Sequence, residues 1–467
     1  MESEEKVAEM PAEAEDSRPA DPWCEGPLLK KIILYTIPII LSSVLQLLFN
    51  AADLVVVGRF RGSTSVAGVG STGSLTALIV NLFIGLSTGC GIAVAQAIGA
   101  RKEREVHKCV HSGMMLAVGC GIFLTTVGVT FAPALLQAMG SPEDVLPKAT
   151  LYLRIYFCGM TGNMIYNFAA SILRAAGDTK RPLYYLTIAG ALNFVLNVVF
   201  VVLFGMDVDG VALATILTQL LSAALTVRAL IRRTDACHFD FRRLKWYPDA
   251  VKKMTRIGLP SGLQASMYSI ANVVIQSSVN SLGTAAVTGY AAAANLDGFI
   301  YGIYYSFSTS AANFAGRNIG AGKYKRLMNV LKCSELGGIA ASLICGFAAY
   351  FFGETLLGIY ITDSPEAITF GMIRLLYVAL PYFVCAYNDV LMGVLRGMGY
   401  TLIAMIDSVL CICVFRLAWI AIRFPEFHTM ETIIVSYPLS WILNSIVNTA
   451  AFVILYRRLL KKKEAEI

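Results

Sequence analysis

Apolar residues run through this chain in long blocks separated by short polar stretches. Twelve blocks can be marked, at approximately 32–57, 66–97, 109–132, 149–172, 183–204, 209–231, 254–281, 286–315, 329–352, 367–394, 402–422 and 431–456. Each is long enough to cross about 30 Å of hydrocarbon as a helix. In lipid every backbone N–H and C=O must find its partner inside the protein, so only helices and closed barrels span. Blocks this long and this uniformly apolar are helices rather than alternating barrel strands. The pattern predicts an all-α integral membrane protein with twelve transmembrane helices.

Composition narrows the function classes. The 467 residues are 56% hydrophobic and 15% charged, with mean hydropathy +0.64. Soluble domains carry about 25% charged residues. A soluble enzyme, a nucleic-acid binder and a secreted disulfide scaffold are excluded as the main body. The 39 glycines suit helices packed closely in lipid.

The net charge of +7 reports topology rather than an anionic partner. Loops after segments 2, 4, 6, 8 and 10 hold Arg101, Lys102, Arg104 and Lys108; Arg174, Lys180 and Arg181; Arg232 through Lys253; Lys323, Lys325 and Arg326; and Arg396. The alternate loops hold mainly Arg59, Arg61, Lys148 and Arg423, with acids such as Asp207, Asp209 and Glu354. Basic loops stay in the cytoplasm, which places both termini inside a cell inner (plasma) membrane.

Five units are expected: an acidic, disordered cytoplasmic tail over 1–29, an N-terminal six-helix lobe over 30–232, a basic cytoplasmic linker over 233–253, a C-terminal six-helix lobe over 254–458 and a basic tail over 459–467. The first tail holds nine acids from Glu2 to Glu25 against Lys6 and Arg18, without the basic start and apolar core of a signal peptide. The eleven cysteines are odd in number and mostly inside apolar runs, where they act as small hydrophobes. His107 and His111 share a helix face with Cys109 between them, which reads as a solvated helix end more than as a metal site. His107, His111, His238 and His428 all fall in loops or at helix ends, so no buried histidine is expected. The GxGxxG at Gly68, Gly70 and Gly73 opens an apolar helix without a parallel-sheet pattern and carries no nucleotide.

The chain repeats itself at a spacing of about 222 residues. Pro38 answers to Pro260, Ile98-Gly99-Ala100 to Ile319-Gly320-Ala321, and Leu135-Leu136 to Leu356-Leu357. Ser141-Pro142-Glu143 answers to Ser364-Pro365-Glu366, and Leu173-Arg174-x-x-Gly177 to Leu395-Arg396-x-x-Gly399. Six crossings per unit make the halves parallel repeats. In secondary transporters such halves face each other across a central site and rock to expose it alternately.

Polar residues inside the blocks are the candidate site, because they are costly in lipid. Asp53 lies in segment 1 and would bind a cation or a proton, unless a structural ion pair or water at the helix end holds it. Asn163 and Asn167 on segment 4, and Asn193 and Asn197 on segment 5, are spaced i, i+4 and so share a face. If these faces converge on Asp53 they form an oxygen-rich ion-coupling pocket; otherwise they bond helix to helix. The second half offers Gln264, Tyr268, Asn272, Gln276 and Asn280 on segment 7, Asp297 on segment 8, Asp389 on segment 10 and Arg416 on segment 11. Gln264, Tyr268, Asp297, Asp389 and Arg416 are a candidate polar network, with Asp389 and Arg416 as its expected ion pair. Arg154 and Arg374 lie near the outer ends of segments 4 and 10 and are expected to snorkel. Tyr290, Phe299, Tyr301, Tyr304, Tyr305 and Phe307 around segment 8 pack or form an interfacial belt, or line a cleft that stacks planar cations.

Over about 30–458 the chain resembles the multidrug and toxin extrusion (MATE) family of transporters, in its DinF-like bacterial branch. The residues that carry the resemblance are Asn50-x-x-Asp53-x-x-x-x-Gly58, Ala95-Gln96-x-x-Gly99, Leu173-Arg174-x-x-Gly177-Asp178, Asn193-x-x-x-Asn197, Asn318-x-Gly320-Ala321-Gly322 and Leu395-Arg396-Gly397-x-Gly399. The resemblance implies a V of two lobes and antiport of organic cations, drugs or amphiphilic metabolites against H⁺ or Na⁺. It implies no cofactor, no metal beyond Na⁺ at Asp53, no nucleic acid, the lipid bilayer as surroundings and a monomeric state. It makes Asp53 the coupling acid. The fifth-helix position that often bears a second acid reads Asn197 here, segment 7 has no acid, and the usual Gln-Asn of segment 8 reads Arg317-Asn318. Coupling is therefore expected through the N-terminal lobe. The rival expectation is a flippase for a lipid-linked saccharide or other lipid precursor. An enzyme is not expected, since no HExxH and no GxSxG in a suitable context occurs.

Overall fold

The computed structural model describes residues 23–61, 63–138, 145–361 and 364–466. Most of the expected acidic tail and the Ser141-Pro142-Glu143 arm of the repeat lie outside the described residues. The first bundle runs α1 (Leu28–Arg61), α2 (Ser63–Gly99), α3 (Glu103–Ala138), α4 (Leu146–Cys158), α5 (Met160–Ala175), α6 (Lys180–Val198) and α7 (Val208–Ile231). The second runs α8 (Pro248–Asn280), α9 (Thr284–Gly320), α10 (Arg326–Phe351), α11 (Gly353–Gly358), α12 (Pro365–Arg374), α13 (Tyr382–Gly397), α14 (Thr401–Ser408), α15 (Phe415–Arg423) and α16 (Met430–Glu466). The described residues contain no strand.

Several expected rods are broken. The fourth crossing is α4 and α5, separated at Gly159. The tenth is α12 and α13, bent by 44°. A π turn at Leu375–Ala379 is followed by Pro381, which has no N–H to donate and cannot continue a helical ladder. A second π turn, Val409–Val414, joins α14 to α15, and a third, Val199–Leu203, ends α6. At the far end α16 runs on through the expected tail to Glu466.

Among the described residues eight helices are each long and apolar enough to span alone, and the bent α12–α13 pair makes a ninth. The other three crossings of the twelve, α4–α5, α8 and α9, carry polar side chains that the fold turns inward. On α9, for example, Asp297, Ser306, Ser308 and Ser310 are all buried. Their lower apolarity follows from facing protein rather than lipid.

The bundles touch backbone to backbone. A Cβ on Gly85 of α2 would lie 2.3 Å from the Gly262 nitrogen of α8, and one on Gly99 would lie 2.0 Å from the Arg317 carbonyl of α9. Gly85-x-x-x-Gly89 thus meets Gly258-x-x-x-Gly262, the small-residue spacing that lets helices pack without side chains between them. Hydrogen bonds join the bundles from mid-helix, Ser266 to the Leu78 carbonyl at 3.1 Å, towards the end where the inter-bundle linker runs. Nearer that end Thr36 and Ser310 share a bond of 2.7 Å, and Gln96 donates to the Gly397 carbonyl at 2.9 Å.

The repeat is visible in the turns. After α5, Asp178 N–H donates to the Leu173 carbonyl, with Gly177 at φ 93. After α13, Tyr400 N–H donates to the Leu395 carbonyl, with Gly399 at φ 90. The turns after α2 and α9 match in the same way, except that the first places Arg101 at φ 55 where the second has Gly322 at φ 65.

Candidate functional site

In the N-terminal bundle Asp53 stands on the half of α1 away from the linker end, opposite the last turns of α6. Asn197 donates its side-chain N–H to Asp53 Oδ1 at 2.5 Å and to Asn193 Oδ1 at 3.2 Å. Both asparagines are buried, and the Asn197 amide oxygen has no hydrogen-bond partner. Tyr152 and Tyr156 on α4 stack at 5.9 Å. Val56, Val57, Val201 and Val211 pack with Tyr152 into an apolar cap beyond the carboxylate. Among the described residues Asp53 makes no ion pair, so its negative charge has only an amide beside it.

Asn163 and Asn167 do not share this bond. Asn167 donates to the Asn163 side chain at 2.9 Å and to its carbonyl. Of the two asparagine pairs, the structure brings only Asn193 and Asn197 to Asp53.

The C-terminal bundle splits the expected network in two. Gln264 donates to Tyr268 at 3.0 Å and accepts from Arg396 at 3.0 Å, and Arg396 also reaches Tyr305 at 3.4 Å. Asp389 lies buried near this group, with Oδ2 unpartnered and Ser308 donating to its backbone carbonyl. The expected Asp389–Arg416 pair is absent among the described residues. Arg416 instead donates to Ser440 at 2.9 Å and lies 4.0 Å above the Tyr437 ring. The ion pair that does form joins Asp297 to Arg374 at 2.7 Å. Arg374 is buried rather than snorkelling, because Asp297 supplies its counter-charge and the Tyr290 ring lies 4.0 Å away. Arg154, by contrast, is exposed. Tyr304 is buried as packing, while Tyr301 and Tyr305 stack at 5.2 Å.

Two residue groups had no role assigned from the sequence. Arg317 crosses between bundles and donates to the Ala175 carbonyl at 3.1 Å, with its guanidinium 4.9 Å from the Trp23 ring. The segment before α1 straps the other bundle: Lys323 pairs with Glu25 at 2.9 Å, and Arg326 donates to the Gly26 carbonyl at 2.5 Å. The Lys323 hydrogen bond and charge hold the Glu25 carboxyl below its ordinary range. The signal for Arg317 was its departure from the resembled Gln-Asn. Trp23 had no signal beyond being an aromatic in an acidic stretch.

The histidines also differ from expectation. His111 is fully buried because the linker folds over the start of α3. Asp240 N–H donates to its Nε2 at 3.2 Å, and the His107 ring stacks on it at 3.8 Å. Among the described residues no group of three His, Cys, Asp or Glu could hold a metal.

Two six-helix bundles in parallel repeat, pinned together at one end and holding a half-buried carboxylate with no ion pair among the described residues, define a polytopic membrane transporter. Comparison with known proteins gives the family. The MatE family model matches residues 38–199 and again 260–421. The chain is 28% identical over 400 residues to the probable multidrug resistance protein YpnP of Bacillus subtilis, covering 86% of this chain and 89% of that protein. It is 25% identical over 399 residues to the probable multidrug resistance protein NorM of Thermotoga maritima, covering 83% of this chain and 84% of that one. An outward-facing multidrug resistance MATE transporter structure superposes with TM-score 0.88 at 20% identity, over 95% of this chain and 100% of that one. This chain belongs to the MATE family. It is an integral membrane transporter of the multidrug efflux type, not an enzyme, and acts on small molecules without a cofactor. The flippase alternative is not favoured.

Proposed function

We propose that this chain is a secondary antiporter that exports organic cations, drugs or amphiphilic metabolites from the cytoplasm in exchange for inward H⁺ or Na⁺. The observation that carries this reading is Asp53. Its carboxylate is bonded to an amide, Asn197, and to no cation among the described residues. A carboxylate in a low-dielectric site without a counter-ion draws in a cation or a proton. For Na⁺, the unpartnered Asn197 oxygen is a second ligand of the right chemistry. The coupling set is then Asp53, Asn193 and Asn197, with Asn163 and Asn167 bracing α5 next to it.

Basic loops put the linker end in the cytoplasm, together with both termini, in the cell inner membrane. The bonds through Gln96, Arg317, Thr36 and Trp23 then close the cytoplasmic side, and the bundles are read as poised towards the outside. Loading Asp53 with the ion removes its charge and lowers the cost of repacking α1 against α6. That change tips the bundles between their two arrangements. A monomer suffices, because both halves of the cleft lie in one chain.

Uptake of a fluorescent organic cation into inverted vesicles, with ΔpH and ΔNa⁺ imposed separately, tests this. Either gradient should drive uptake in the wild type, and Asp53→Asn should reduce it to background while the protein stays folded. Normal gradient-driven uptake in Asp53→Asn overturns the assignment.

A further inference from the structure

We propose that the linker end of the N-terminal bundle carries a binding site for the phosphate headgroup of an anionic phospholipid. A cavity of about 680 Å³ lies there between the start of α1, the α5–α6 turn and the first linker residues. Charge, backbone and apolar surface meet in it.

The walls hold five basic side chains, Lys31, Lys180, Arg181, Arg232 and Arg233. Against them stand two acids, and both are engaged. Asp178 pairs with Arg181 at 3.3 Å and lies 3.9 Å from Arg233. Asp235 accepts from Arg233 Nε at 2.9 and 3.1 Å. Burial alone would raise the Asp235 carboxyl, but the Arg233 bonds and charge outweigh it and hold it below the usual range. Lys180 and Arg232 make no ion pair among the described residues. The cavity therefore keeps a surplus of positive charge that its own acids do not cancel.

The backbone adds to this field. α6 starts at Lys180 on the cavity wall; Asp178 Oδ1 accepts from the Arg181 N–H at 3.1 Å, and Thr179 at the cap position makes no side-chain capping bond, so one N–H of the first turn is taken and the rest of that turn faces the cavity end. A helix N-terminus presents N–H groups and partial positive charge to an anion.

The apolar side says what kind of anion. Leu34 is a wall residue and is 58% exposed. Ile37, Leu41 and Leu48 continue from it on the same face of α1, and all three are exposed. On a membrane-spanning helix such a stripe faces acyl chains. A ligand with a phosphate at one end and hydrocarbon at the other fills both parts of the site, and basic pockets between transmembrane helices hold such headgroups. Inorganic phosphate or a soluble phosphate ester would use only the cationic half. Trp23 lines the same cavity and carries Arg317 on its ring, so a bound headgroup would brace the end where the bundles are pinned.

Native mass spectrometry of the purified full chain in detergent, titrated with phosphatidylglycerol, phosphatidylethanolamine or glycerol phosphate, tests the site. Wild type should retain phosphatidylglycerol in preference to phosphatidylethanolamine. Lys180→Gln with Arg232→Gln should weaken that retention roughly thirtyfold, from two lost charges at the membrane surface. Lys180→Arg with Arg232→Lys should keep it, as should the control Arg457→Gln with Arg458→Gln, which removes the same charge from α16. The proposal is overturned if the double Gln variant retains phosphatidylglycerol like wild type. It is equally overturned if the control pair loses retention as much, or if glycerol phosphate displaces the lipid at equal concentration.

Discussion

In the N-terminal bundle Asp53 meets an amide, whereas in the C-terminal bundle Asp297 meets a guanidinium at 2.7 Å. The rest of the contrast follows the same line. Around Asp297 and Asp389 the second bundle buries Arg374, Arg396 and Arg416 among tyrosines. Among the described residues of the first bundle Asp53 is bonded to Asn197, which also donates to Asn193. A buried ion pair costs desolvation of both partners and is then held rigidly, since separating it leaves two uncompensated charges. A lone carboxylate is stabilised only when something cationic joins it. One duplicated backbone thus carries a fixed charge pair at Asp297 in one half, where the first half leaves Asp53 with an amide and no ion pair among the described residues.

Breaking the fixed pair should have the largest effect on stability. Asp297→Asn leaves Arg374 buried without its counter-charge and should cost about 3–5 kcal/mol, read as a fall in the thermal unfolding midpoint in detergent. Asp297→Leu with Arg374→Met should recover most of that loss. Unfolding of Asp297→Asn at the wild-type temperature would make the two bundles alike. Asp53→Asn should do the reverse, abolishing coupled transport while the unfolding midpoint stays within about 1 kcal/mol of wild type.

Asn197→Ala sharpens the contrast within the first bundle. It removes a hydrogen bond to a charged group, worth about 1.5–3 kcal/mol. With H⁺ as the driving ion the concentration for half-maximal uptake should fall about tenfold or more, because the carboxylate loses the donor that favours its charged form; with Na⁺ it should rise, because the Asn197 oxygen is lost as a ligand. An unchanged ion dependence would show that Asn197 only packs α6 against α1. The smallest effect concerns the repeated turn. Arg101 adopts φ 55 where its counterpart is Gly322. A non-glycine residue in that region costs about 1–2 kcal/mol, so Arg101→Gly should stabilise by about 1 kcal/mol and Gly322→Ala should destabilise by a similar amount. Equal and opposite shifts in chemical unfolding would confirm that the two turns are one motif.

Much of this was legible in residue order, and the misses share a cause. Spans were readable because apolarity over twenty residues is a local property. The repeat was readable because Ile98-Gly99-Ala100 and Leu173-Arg174 recur with their turn geometry intact. Asp53 stood out because a carboxylate in a greasy block is costly wherever it points. Which buried charges pair was not readable. Asp389 and Arg416 looked suited to each other, yet Arg374 takes Asp297, because the π turns at Leu375–Ala379 and Val409–Val414 reset the faces that α13 and α15 present. His111 looked like a solvated helix end until the linker, through Phe239 and Asp240, folded over it.

The order of residues was enough for helix type, number of crossings, duplication and the residues that cannot sit in lipid without a partner, since each depends on side-chain chemistry within a turn or a span. Partner choice needed the folded chain. The rotation of each helix, the breaks at Gly159 and Pro381, and the end at which the bundles are pinned arise from packing between segments hundreds of residues apart. No local pattern encodes that packing, because it is the joint minimum of many contacts at once.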